Sequence, residues 1–107
     1  MKTSEFLRSA KALIDSPEKW TTEFTARNNS GACVNEYSPD AVCFCSIGAL
    51  YRQAPISGLP CIPQDSWRYF HNATEGAELH FYNDTHTHAE VMLAWDKAIA
   101  LAESEGD

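Results

Sequence analysis

A chain of 107 residues, 44% hydrophobic and 21% charged, has the size and make-up of one globular domain (residues 1–107) with a single core burying roughly 65% of the unfolded surface. Its formal charge of −7 repels a nucleic-acid backbone and favours encounter with a basic protein surface. No apolar run approaches the ~20 residues of a membrane span and Met1–Ala10 lacks a signal-peptide core, so a cytoplasmic protein with reduced thiols at Cys33, Cys43, Cys45 and Cys61 is expected.

Thr3 or Ser4 serves as N-cap for a first amphipathic helix with Phe6, Leu7, Ala10, Leu13 and Ile14 on one side, ended by Asp15-Ser16-Pro17. Trp20 is large enough to anchor the following connection onto the core. The period then shortens: Thr22, Phe24 and Ala26 alternate with polar residues, Asn28-Asn29-Ser30-Gly31 makes a turn, and Ala32-Cys33-Val34 returns. This predicts a small β-hairpin over 22–35.

Ser38 as N-cap, Pro39 at the first helical position and Asp40 at the positive dipole end mark the start of a helix over 38–52. Val42, Cys43, Phe44, Cys45, Ile47, Ala49 and Leu50 leave it no polar stripe, so it is expected to be buried all round. Gly48 invites a close approach by another element. Ala54-Pro55 breaks the pattern, and Gly58, Pro60 and Pro63 form an irregular crossing loop.

A short helix follows over Asp65–Ala73, with Trp67, Phe70 and His71 at spacings of three and four, stopping by Gly76. Leu79–Tyr82 reads as extended and Asn83-Asp84 as a turn. Thr87-His88-Ala89-Glu90 is a capping box, after which Val91, Trp95, Ala98 and Ala102 share a helical face. The expected fold is α+β, mainly α: three longer helices and a short one around the central buried helix, with a small hairpin.

The one dense polar cluster is His80, Asp84, His86 and His88, joined by Glu90. Imidazole and carboxylate suit a divalent metal, and an open position could activate water for hydrolysis. Against that, Asp84 and Glu90 sit where backbone N–H groups need acceptors, and His86 and His88, two apart at a helix start, point to different sides. Capping is the favoured role, and no cofactor is called for. Four cysteines match a structural zinc in number but not in spacing, since Cys43 and Cys45 would lie about 200° apart on a helix. Burial should leave the Cys45 thiol inert. Trp67 and Trp95 are assigned to the core, and Arg68 and Tyr69, on the presumed outer side of the short helix, to a contact surface, with Tyr82, Asn83, Asp84 and His88 as further binding candidates.

Pro39-x-Ala41 leading into Cys45-x-x-Gly48-Ala49-Leu50, then Tyr82-Asn83-Asp84 leading into Thr87-His88-x-Glu90-Val91, and finally Lys97–Ala102, resemble the motifs of an uncharacterised bacterial and bacteriophage family of small domains of unknown function. Phe44 and Tyr82 stand where that family often has tryptophan, and Ile56–Thr74 matches poorly. The resemblance implies a compact, largely helical domain, often phage-borne, with no assigned reaction. Together these readings lead to a non-enzymatic protein-binding module, such as a phage-encoded inhibitor of a host defence or regulatory protein with a basic surface. The alternative is a small-molecule- or metal-binding protein, or a hydrolase, working through His80, Asp84, His86 and His88.

Overall fold

The computed structural model describes residues 1–107. In chain order it comprises α1 (Thr3–Lys11), a 3-10 turn (Pro17–Lys19), β1 (Ala26–Arg27), β2 (Cys43–Phe44), α2 (Ser46–Ile56), α3 (Asp65–Ala73), α4 (Leu79–Thr85) and α5 (His88–Ser104). The fold is α+β and mainly α, with one small antiparallel sheet. No helix is long and apolar enough to cross a membrane.

The longest helix, α5, begins at the expected capping box. Thr87 Oγ1 accepts from the Glu90 N–H at 3.2 Å while Glu90 Oε1 accepts from the Thr87 N–H at 2.9 Å. Val91, Trp95, Ala98 and Ala102 are buried as the period demands, against α1, α3 and α4. Phe70 of α3 meets the Trp95 ring edge-on, with centroids 4.8 Å apart. α2 packs in turn on α1 and α4, and all five helices contribute to one core.

The helix expected over 38–52 starts eight residues later than Ser38 and runs to Ile56. Ser38 does accept from the Asp40 N–H, but in a turn, after which the chain is extended. Val42 N–H donates to the Arg27 carbonyl at 2.9 Å, Cys43–Phe44 pairs with Ala26–Arg27, and Cys45 N–H donates to Thr25. Along this strand Phe44 is buried and its neighbour Cys43, which points to the opposite face, only partly so. Cys45 is the N-cap of α2, its Sγ accepting from the Gly48 N–H at 3.3 Å. Burial raises its thiol pKa, with hydrogen bonds from Gly48 and Ile47 opposing. Pro55 lies inside the last turn of α2 rather than ending it.

Gly48 allows the expected close approach. It faces the Thr25 backbone, and an added Cβ would run into the Thr25 carbonyl. The Asn28–Gly31 turn also forms, with Asn28 N–H donating to Ala32 and Val34 N–H to Ala26, but the ladder partner of β1 is β2. At the other end, Thr3 and Ser4 lie within α1 instead of capping it. Their N–H groups donate to Asp107, the former to its carboxylate at 3.3 Å and the latter to its carbonyl. Leu79–Tyr82, expected to be extended, is the first half of α4, whose Leu79 and Asn83, one turn apart, face the core.

Candidate functional site

α4 places Asn83 at the centre of a buried polar network. Its Oδ1 accepts from Trp20 Nε1 at 2.8 Å, from the Ser46 N–H at 3.0 Å and from Ser46 Oγ at 2.7 Å. Its Nδ2 donates to the Thr21 carbonyl and to Asp84 Oδ1. Trp95 Nε1 donates to Ser46 Oγ at 3.0 Å. One side chain thus joins α4, the start of α2, the core tryptophan of α5 and the Trp20 connection. A buried amide with its donors and acceptor satisfied specifies packing and has nothing left to offer a ligand.

The neighbouring candidates are engaged in the same way. Asp84 Oδ1 accepts from the N–H of Glu23, a residue held at φ 74°. His88 Nε2 donates to the Ile14 carbonyl at 2.8 Å, and its ring lies against Trp20. His80 is exposed and pairs only with Glu78 at 3.4 Å. His86 donates from Nδ1 to the Tyr82 carbonyl at 2.9 Å and stacks on the Tyr82 ring at 3.7 Å. His80, Asp84, His86 and His88 therefore do not converge, and no three His, Cys, Asp or Glu side chains gather as a metal set.

Of the two residues expected on the outer side of α3, Arg68 is exposed, whereas Tyr69 is buried. Tyr69 is 1% exposed, stacked under the Arg68 guanidinium, with its hydroxyl donating to Asp107 at 2.9 Å. Arg68 forms a two-pronged pair with Glu105 at 2.8 and 3.0 Å. These groups fasten α3 to the end of α5 and the start of α1. Arg68 holds the Glu105 carboxyl below its usual range, while burial and then Asp107 push the Tyr69 phenol up to about 12. Trp67, assigned to the core, is instead 38% exposed, because the face of α3 laid on α5 is Ser66, Tyr69, Phe70 and Ala73.

Trp67 opens a region that the sequence reading missed. With Tyr37 (51% exposed) and Tyr51 (42% exposed) it borders a groove of about 540 Å³ whose walls are Pro55, Leu59, Pro60 and Ile62. Exposed Ile56 ends the helix that supplies Pro55. The irregular loop after α2 exists to build this wall: Gly58, at φ 72°, reverses the chain so that Leu59 N–H donates to Ala54. The available signal was the three prolines, Pro55, Pro60 and Pro63, between the aromatic residues Tyr51 and Trp67. Rings and prolines left open to solvent form an apolar surface with little ordering entropy to lose on contact, the composition of a binding patch.

A second cleft, of about 470 Å³, lies between the end of α3 and the middle of α5. The Tyr82–His86 stack, Glu75, Leu93 and Lys97 line it.

The model of a family of unknown function (DUF6197) matches residues 1–101, and the chain belongs to that family. No curated protein and no solved structure matches it.

Proposed function

We propose, from a family membership that assigns no activity and a fold that leaves one apolar groove open, that this protein is a non-enzymatic module that binds another protein. The observation that carries the reading is the groove of Tyr37, Tyr51 and Trp67, whose rings stand exposed on rigid or proline-braced segments. A stable complex buries about 800 Å² on each side, with an apolar centre and a polar rim. Here the groove is the centre, and the −7 charge of the domain favours encounter with a basic partner. The partner segment is apolar and basic-flanked. Action by occlusion of such a surface, as by a phage-encoded inhibitor of a host defence or regulatory protein, is the mode that this reading favours. The conspicuous polar residues support it from the other side, since Asn83, Asp84 and His88 are each held by backbone or core partners.

Panning a proteome-derived peptide library against the folded chain tests this. Selected peptides are expected to combine aromatic or aliphatic anchors with Lys or Arg. Association should slow as salt rises, and Trp67→Ala or Tyr51→Ala should speed dissociation without lowering the melting temperature. Peptides indifferent to both substitutions, or none selected at all, would overturn the reading.

A further inference from the structure

We propose that the cleft between α3 and α5 is a separate site for a small zwitterion of the α-amino-acid type, with an apolar or aromatic side chain. Of the eight Lys and Arg residues, Arg8, Lys11, Lys19 and Arg68 are in ion pairs, and Arg27 and Arg52 donate to backbone carbonyls. Lys2 and Lys97 have neither kind of partner, although the chain carries 15 Asp and Glu, and the one that lines this cleft is Lys97. Its helical neighbours at three and four residues, Leu93, Ala94, Ala100 and Leu101, are all apolar.

Glu75 lines the same cleft, and neither it nor Lys97 belongs to any of the ion pairs of the fold. Glu75 is held in the left-handed region at φ 57°, a conformation rare outside glycine, at the point where α3 ends and Gly76 N–H donates to His71. One cleft therefore offers a carboxylate and an ammonium that do not neutralise each other. That arrangement matches a ligand bearing the same two charges in the opposite order.

His86 completes the acceptor end. A carbonyl can only accept, so the bond to Tyr82 puts a proton on Nδ1, and in the neutral imidazole Nε2 is then the acceptor. The ligand ammonium takes Glu75 and His86 as acceptors, its carboxylate takes Lys97, and its side chain lies between Leu93 and the Tyr82 ring. The 68% exposure of Leu93 reflects a cleft that has this apolar wall open to solvent.

The test is amide chemical-shift titration of the full chain with L-phenylalanine, L-phenylalaninamide, which lacks the carboxylate, and 3-phenylpropionate, which lacks the ammonium. Phenylalanine is expected to shift Thr74–Ala77, Tyr82–His86 and Leu93–Lys97, and each analogue to bind about tenfold more weakly, the value of one charge-assisted contact. Lys97→Met should erase the preference for the acid over the amide, and Glu75→Gln that for the amino acid over phenylpropionate. Both residues are exposed, so both variants should fold. The site is refuted if none of the three compounds binds at millimolar concentration, if the shifts fall elsewhere, or if the two variants leave the preferences intact. Trp67→Ala should leave this titration unchanged, which separates its outcome from that of the peptide groove.

Discussion

The Asn83 network and the Tyr37–Trp67 groove both draw on α2, the one through Ser46 at its start and the other through Tyr51 and Pro55 further along, and they are opposite in character. Around Asn83 every strong donor and acceptor is met within the chain. In the groove, rings that could have entered the core stand in solvent. Polar residues that attract attention in a sequence can be those the fold has already satisfied, whereas a contact surface is made of apolar groups the fold has left over. Function is read here from what remains unpaired.

The contrast is broken most severely at Gly48, which belongs to the closed side. Gly48→Leu drives a side chain into the Thr25 carbonyl and should lower stability by about 3 kcal/mol or more, the upper end for overpacking. A melting curve unchanged from the parent would mean that α2 does not sit on that backbone. Asn83→Ala is next, since it strands Trp20 Nε1 and the Ser46 N–H without an acceptor. A loss of about 2 to 3 kcal/mol is expected in denaturant titrations. Were it below that of an exposed alanine substitution, the network would be incidental.

Thr87→Ala removes one half of the α5 capping box and should cost about 1 kcal/mol by the same measurement. Gentler still is the response to pH. The Thr87 backbone and hydroxyl lower the Glu90 pKa, and Arg68 lowers that of Glu105. Burial pulls Asp107 upward, but bonds from Tyr69 and Thr3 outweigh it and leave it lowered. Carboxyls depressed in the fold stabilise it in full above their unfolded range of about 4 and lose that contribution as pH falls through the folded values. Tyr69 has the opposite sign: its neutral phenol stabilises below about 10, and this is lost as pH rises through about 12. Melts across pH should therefore decline at both extremes, and Glu105→Gln should flatten the acid limb. An acid limb unaltered by that change would remove the Arg68–Glu105 clasp from the account.

Where a signal was local, the sequence carried it. Thr87 and Glu90 reach each other across one turn of helix wherever that helix lies, so the α5 start and its Val91, Trp95, Ala98 and Ala102 face were legible. The same holds for Asp65–Ala73, bounded by turn residues, and for the need of a small residue at Gly48. Family membership was legible as a resemblance, and the fold class followed from the same periodicities.

What only the tertiary structure decided were choices that local physics leaves degenerate. An apolar run such as Val42–Cys45 suits a buried strand as well as a buried helix, and pairing with Ala26–Arg27 chose the strand. Tyr69 and Trp67 sit about 200° apart on α3, both aromatic, so which one is core depends on which face meets α5. Asn83 has the composition of a turn, and became a helical, fully buried hub because Trp20, Ser46 and Thr21 converge on it from distant positions. A side chain's partners across 37 or 63 residues of sequence leave no periodic trace in it, which is why the groove and the network appear only once the chain is folded.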